Sequence, residues 1–158
     1  MNACREIVSL TEELIRIPSM HSRPGEIMRC ADFILGWCAG QGLAARKVVH
    51  GGTPSILVMP GGRARLLLMT HMDVVDGPDE LFRPRVEGDR LFGRGAIDDK
   101  YAVALSLVLF RDRLRAIAAA GGAQMALGLL ITGDEETGGE NGAAKALPLI
   151  EADFALAL

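Results

Sequence analysis

Three kinds of residue pattern are missing from this sequence, and each absence excludes a class of protein. The three cysteines, Cys4, Cys30 and Cys38, are an odd number without C-x-x-C spacing, so we expect neither a disulfide framework nor a cysteine-only metal site. Basic residues are not in excess, because 17 lysines and arginines stand against 20 acidic residues, which argues against nucleic-acid binding. The longest apolar stretch, residues 101–110, is well short of the roughly 20 residues that span a membrane. We therefore expect a soluble, cytoplasmic protein with no nucleic-acid or membrane partner.

The apolar pattern that is present predicts one domain in which helices and strands alternate. Of the 158 residues, 49% are hydrophobic, which is enough to bury a core without disulfides. We predict helices at residues 3–17, 24–39, 99–120 and 140–150, strands at residues 43–49, 55–59, 65–70, 124–132 and 152–158, a hairpin at residues 85–92 and a glycine turn at residues 60–62. Helices that alternate with buried strands imply an α/β fold with a mixed, largely parallel sheet.

The first candidate functional cluster, residues 70–73, directly follows an apolar strand. His71 and Asp73 are two residues apart, so in extended backbone their side chains point to the same side. That arrangement suits a metal-bound imidazole with a carboxylate to orient it. An ordinary polar turn after a strand is the alternative interpretation.

Two acidic clusters follow at other element ends. Asp98 and Asp99 open the long third helix, where one carboxylate could simply cap the helix and complement its dipole. The run Asp134, Glu135 and Glu136 lies in a glycine-rich loop, where three neighbouring acids repel one another unless they are solvated or hold a cation. Helix capping and a solvated loop therefore remain as alternatives when each cluster is taken alone.

The three clusters taken together indicate a metal site. If they share one rim of the sheet, they offer imidazole nitrogen and carboxylate oxygen, a ligand set that Zn²⁺ accepts. His21 and His50 have no acidic neighbours of this kind and are expected in surface loops. The Gly-x-Gly at residues 93–95 is too short for a phosphate-binding fingerprint.

The same segments resemble a known family. LLMTHMDVV at residues 67–75, RLFGRGAIDDK at 90–100 and TGDEETG at 132–138 are similar, in order and spacing, to motifs of the dinuclear zinc hydrolases. That family includes carboxypeptidase G, acetylornithine deacetylase, succinyl-diaminopimelate desuccinylase, aminoacylase and carnosinase-type dipeptidases. The resemblance extends over essentially the whole chain and implies a three-layer, zinc-exopeptidase-like catalytic domain, a mixed sheet flanked by helices.

The resemblance also implies a role for each site residue. His71 would bind one metal and Glu136 a second, with Asp98 bridging the two, while Asp73 would orient His71. Glu135 would be the general base that assists a metal-bridging hydroxide. The implied cofactors are two Zn²⁺ ions, with Co²⁺ or Mn²⁺ possible. A cis peptide bond is implied after Asp98, and Tyr101 stands where the family usually has glycine.

The implied activity is that of a zinc-dependent exopeptidase or amidohydrolase that cleaves an amide next to a free carboxylate in a small peptide or N-acyl amino acid. The family takes a further acidic ligand and a final histidine from positions that would fall beyond Leu158. We therefore expect residues 1–158 to be the N-terminal part of a truncated catalytic domain, inactive alone, without the lid domain through which full-length members form homodimers. The alternatives are a mononuclear metallohydrolase and a non-catalytic or fragmentary binding protein that retains the fold.

Overall fold

The computed structural model describes residues 2–59, 62–122 and 126–158. The helices are α1 (Ala3–Ile15), α2 (Pro24–Gly40), α3 (Lys100–Ala119) and α4 (Ala143–Ala146), with 3₁₀ turns at Asp79–Phe82, Glu135–Thr137 and Leu147–Leu149. The strands are β1 (Ala45–His50), β2 (Thr53–Val58), β3 (Arg63–His71), β4 (Arg85–Glu87), β5 (Arg90–Phe92), β6 (Leu127–Thr132) and β7 (Glu151–Ala157).

Five of these strands form one mixed sheet in the order β1-β2-β6-β3-β7. β3 runs parallel to both β6 and β7, while β1-β2 and β2-β6 are antiparallel. In the central pair His71 lies opposite Thr132. Because parallel strands end at the same edge, this register brings the loops after β3 and β6 together. The predicted α/β fold with a mixed sheet is confirmed, and β4 and β5 form the predicted hairpin.

Helices cover the two faces of the sheet unequally. The larger core packs α1, α2 and α3 against one face, through residues such as Leu14, Ile34, Leu107 and Leu129. The smaller core on the other face joins Leu57, Leu67 and Leu130 to Ala146 of α4. β3 and β6 are therefore apolar on both faces, as expected for central strands.

Several predicted boundaries need correction. The predicted helix at residues 140–150 is an α-helix only at Ala143–Ala146 and continues as a 3₁₀ turn, because Pro148 lacks the N–H that an α-helical bond requires. His50, expected in a surface loop, is the half-buried last residue of β1, whereas His21 is exposed in a turn. Parts of two predictions, residues 60–61 of the turn and residues 124–125 of the β6 strand, lie outside the described residues.

A buried lysine joins α3 to α1. Lys100 Nζ donates to the carbonyl oxygens of Leu14, at 2.8 Å, and Ile17, near the end of α1. Burial lowers the pKa of Lys100 to about 8. Gly95 has a φ of +90°, and a Cβ there would lie 2.8 Å from the Lys100 side chain. Gly95 is therefore required by the turn that precedes α3. This structural requirement accounts for the Gly-x-Gly sequence without a phosphate site.

No helix formed by the described residues is both long enough and apolar enough to cross a membrane.

Candidate metal centre

His71 is fixed at the carboxyl end of β3 with both ring nitrogens facing partners. Its Nδ1 lies 3.0 Å from the carbonyl oxygen of Asp73, and its Nε2 lies 3.0 Å from Oδ1 of Asp98 and 3.7 Å from Oε2 of Glu135. A proton on Nδ1 satisfies the carbonyl and directs the other nitrogen toward the acidic residues. This is how a metal-binding histidine is usually oriented.

The protonation of His71 depends on the same neighbours. Burial lowers the pKa of the imidazole, but the carboxylate of Asp73 at 3.4 Å and the charges of Asp99 and Glu135 outweigh burial and raise the pKa to about 9. These carboxylates would attract a divalent cation for the same reason that they attract a proton. A cation at Nε2 therefore competes with a proton for that nitrogen.

The Asp73 carboxylate, expected to orient His71, also accepts hydrogen bonds from the loop that follows β6. Its Oδ1 accepts from the backbone N–H of Glu135 at 3.2 Å, and its Oδ2 accepts from that of Glu136 at 3.0 Å. The carbonyl oxygen of Asp73, rather than its carboxylate, is the nearer acceptor for His71. Asp73 therefore connects the first cluster to the third, in addition to contacting the imidazole.

His71, Asp98 and Glu136 converge as the motif order predicts. One ligand atom of each lies within 4.8 Å of the others. Burial raises the pKa of Glu136, and the charge of Asp98 adds to that effect. Glu135 is outside this trio, with its side chain 62% exposed, and Asp98 is 70% exposed. The predicted cis peptide bond between Asp98 and Asp99 is present.

Asp99 and Thr70 are two buried residues whose function the sequence did not reveal. Asp99 occupies the N-cap position of α3, yet its side chain makes no capping hydrogen bond. Instead its Oδ2 accepts from the Thr70 hydroxyl and from the backbone N–H of His71 at 3.3 Å. The capping alternative for this cluster is therefore wrong. The sequence offered one signal for Asp99: two adjacent aspartates precede α3, whereas capping a helix requires only one.

Asp134, the first of the three consecutive acids, is a structural residue. Its Oδ2 accepts from the backbone N–H groups of Asn141 at 2.8 Å and Gly142 at 3.0 Å, which closes the loop before α4. A Cβ at Gly142 would lie 2.1 Å from Asp134 Oδ1, so this position requires glycine. Asp134 is buried, and the solvated-loop alternative does not apply to it.

A cavity of about 440 Å³ opens beside the converging donors, lined by His71, Asp98, Thr132, Glu135 and Gly139 among others. A larger cavity of about 630 Å³ is lined by His21, Asp134 and Glu140 but by none of the three converging donors. The smaller cavity is therefore the candidate substrate site, because the imidazole of His71 and the carboxylates of Asp98 and Glu135 line it.

The donors fit a divalent cation. An imidazole nitrogen and two carboxylates are suitable ligands for Zn²⁺ and related ions. Asp98 and Glu136 converge beside His71, where their negative charges repel unless a cation lies between them. The orientation of His71 through its other nitrogen adds the outer contact that metal-binding histidines normally have.

Comparison with known proteins identifies related sequences. Residues 67–158 match the family described as peptidase family M20/M25/M40. The chain is 36% identical over 154 residues to a succinyl-diaminopimelate desuccinylase of Methylocella silvestris, covering 89% of this chain and 38% of that protein. It is 32% identical over 160 residues to the enzyme of the same name from Phenylobacterium zucineum, covering 97% of this chain and 40% of that protein. The chain thus spans about two fifths of the length of these curated relatives.

Solved structures share the fold. Human carnosine dipeptidase 1 superposes with a TM-score of 0.72 at 19% identity, covering 97% of this chain and 38% of the dipeptidase. An M20 family metallo-carboxypeptidase from Sulfolobus solfataricus gives a TM-score of 0.73 at 19% identity, covering 96% of this chain and 37% of the carboxypeptidase. The family match extends over more than half of the chain and includes all three motif clusters. This chain belongs to the peptidase family M20/M25/M40.

Proposed function

We propose that the protein containing this chain is a metal-dependent exopeptidase or amidohydrolase that cleaves an amide bond next to a free carboxylate. The observation that carries this proposal is the convergence of His71, Asp98 and Glu136, with ligand atoms within 4.8 Å of one another and Glu135 beside them. Membership of a metal-dependent hydrolase family supports the same conclusion.

The proposed ligand assignment takes the converging trio and adds the two-cation arrangement that the family resemblance implies. His71 would hold one cation through Nε2, Glu136 would hold a second, and Asp98 would contact both. Zn²⁺ is the preferred ion, with Co²⁺ or Mn²⁺ as substitutes that accept the same donors. When bound, such ions polarise a carbonyl group and lower the pKa of water.

Glu135 is the proposed general base. Its carboxylate is exposed to the cavity and lies 3.7 Å from Nε2 of His71, outside the trio of donors. It can take a proton from the attacking water while the water oxygen bonds to the scissile carbon. The same proton then passes to the amide nitrogen as the carbon–nitrogen bond breaks, which releases a carboxylic acid and an amine.

The proposed substrate is a small peptide or an N-acyl amino acid. The relatives named desuccinylase and the structural neighbours named dipeptidase and carboxypeptidase support this class. The coverage of about two fifths of the relatives supports a further proposal, that residues 1–158 are the N-terminal part of a catalytic domain. In that case remaining ligands and a homodimer interface would lie elsewhere in the protein.

The test is a Glu135→Gln substitution in the native-length protein. With Zn²⁺ or Co²⁺ added, we expect hydrolysis of N-acyl amino acids and dipeptides to fall by about 10²–10⁴-fold, the usual contribution of a general base. Cation affinity measured by calorimetry should fall far less than turnover, because Glu135 contributes its charge to the site but is not an assigned ligand. Glu140→Gln, a substitution of an exposed acid in the same loop, is the matched control. Undiminished turnover in Glu135→Gln would contradict the proposal.

A further inference from the structure

The Asp99 carboxylate is placed where it can set the geometry of the proposed metal ligands. Its Oδ2 accepts two hydrogen bonds, from the hydroxyl of Thr70 and from the backbone N–H of His71. Asp99 is only 3% exposed, so these partners replace water at a buried charged group. One oxygen atom thus binds the last two residues of β3.

The neighbouring residue, Asp98, has little else to hold it. Asp98 is 70% exposed and Ile97 before it is 85% exposed. Asp98 Oδ1 nevertheless lies 3.0 Å from Nε2 of His71. The bonds made by Asp99 join the backbone that carries Asp98 to the backbone that carries His71, and they are the buried polar link between these two segments.

Other functions of Asp99 are excluded by its contacts. It makes no capping hydrogen bond to α3. Within residues 2–59, 62–122 and 126–158, it forms no salt bridge with lysine or arginine. It is also outside the trio of converging donors. What remains is the connection to Thr70 and His71.

We propose that Asp99, together with Thr70, is a positioning residue that holds Asp98 at the distance from His71 required for both to contact one cation. This inference rests on the proposed function. Both hydrogen bonds end on the same oxygen, and an asparagine amide oxygen at that point could also accept them. Positioning therefore requires an acceptor at that point, and the negative charge of Asp99 adds only its attraction for the cation.

The experiment measures Co²⁺ and Zn²⁺ dissociation constants by calorimetry and the Co²⁺ absorption spectrum in the native-length protein. We expect Asp99→Ala to weaken cation binding by about 10- to 100-fold, the usual effect of losing an outer-shell partner. Thr70→Val, which removes one of the two bonds, should weaken binding less. Asp99→Asn keeps the acceptor and loses only the charge, so it should bind the cation more tightly than Asp99→Ala does. The matched control is Thr11→Val, because Thr11 is buried in α1 and its hydroxyl donates only to Ile7 O at 2.7 Å.

The outcomes separate this inference from the proposed function. If the wild type binds no cation, or binds equally well after His71→Ala, the proposed function fails and the inference fails with it. If His71→Ala abolishes binding but Asp99→Ala does not weaken it, only the inference is overturned. Binding as weak in Asp99→Asn as in Asp99→Ala would also overturn it, because charge would then be the requirement. Should Asp99→Ala not fold, cation affinity in Thr70→Val equal to that in Thr11→Val would overturn the inference instead.

Discussion

At the scale of single residues, the carboxylate of Asp73 holds the turn that carries Glu135, the proposed general base, and Glu136, a proposed metal ligand. It accepts from the backbone N–H groups of both Glu135 and Glu136. Asp73→Asn leaves one acceptor oxygen and replaces the other with a donor that faces an N–H group. We expect cation affinity in the native-length protein to fall by about 10- to 100-fold and hydrolysis to fall with it.

The control for this prediction is Asp76→Asn, which makes the same chemical change at an exposed residue three positions along the chain. Calorimetric titration with Zn²⁺ and an assay with an N-acyl amino acid would measure both effects. If Asp73→Asn behaves like Asp76→Asn in both measurements, the two backbone hydrogen bonds have no influence on the site.

Sequence alone predicted the trio and the contact of Asp73 with His71, but it did not predict the link that Asp99 and Thr70 make. His71, Asp98 and Glu136 stand in motifs whose residue types and spacing indicate metal binding. The direction of the Asp99 side chain is decided by how the start of α3 packs against the end of β3, 28 residues away in sequence. A capping position and a buried acceptor look alike in sequence, since both are an aspartate before a helix.

At the scale of secondary-structure elements, an ion pair joins α1 to α3. Arg111 donates to both carboxylate oxygens of Glu6, its Nη2 at 2.9 Å from Oε2, and its guanidinium lies 5.7 Å from the centre of the Trp37 ring. The hydrogen bond from Arg111 lowers the pKa of Glu6 from its ordinary value of 4.5, with burial opposing and the charges of Arg111 and Arg115 assisting. The folded state therefore favours ionised Glu6.

This ion pair predicts how stability depends on pH. Because the folded-state pKa of Glu6 is lowered, its contribution is present above the unfolded-state value and is lost as the pH falls through the folded-state value. At pH 7 we expect Glu6→Gln to reduce the free energy of unfolding by about 1–2 kcal/mol. The difference from wild type should shrink steadily below about pH 4.5.

Urea unfolding of the wild type and Glu6→Gln at a series of pH values would measure this effect. Glu13→Gln is the control, because Glu13 is an exposed acid on the same helix. A constant difference between wild type and Glu6→Gln across the acidic range would show that the ionisation of Glu6 does not contribute.

Helix limits could be predicted from local sequence, whereas the order of strands in the sheet could not. The helices α2 and α3 match their predicted limits within one residue, because Pro24 begins α2 and glycines follow both helices. The order of strands in the sheet could not be predicted. β2 and β3 are consecutive in the chain, yet β6 lies between them in the sheet. That order depends on contacts between residues far apart in sequence, which single-sequence periodicity does not contain.

At the scale of the whole molecule, the number of donors limits what residues 1–158 can bind by themselves. Two cations would share His71, Asp98 and Glu136, the three donors that converge in the described part of the chain. A tetrahedral site normally takes at least three protein ligands per ion. We expect the isolated polypeptide 1–158 to bind Zn²⁺ weakly and not to hydrolyse amides. Two tightly held Zn²⁺ ions in calorimetry, with turnover of an N-acyl amino acid, would refute this.

The edge strand β7 is where we expect the isolated polypeptide to associate with other copies. Among the described strands β7 pairs with β3 alone, and its apolar side chains are exposed, Phe154 by 71% and Leu156 by 48%. An exposed apolar edge strand offers unpaired N–H and C=O groups to another chain. We therefore expect polypeptide 1–158 to associate increasingly with concentration in sedimentation velocity experiments.

Lysines on the edge should prevent this association, because a charged side chain opposes the pairing of a second strand. The variant is Phe154→Lys combined with Leu156→Lys, and the matched control is Val86→Lys on the exposed hairpin strand β4. We expect the double variant to sediment as a monomer while the control associates like the wild type. A wild-type polypeptide that stays monomeric at high concentration, or a double variant that associates as strongly, would show that β7 is not the contact.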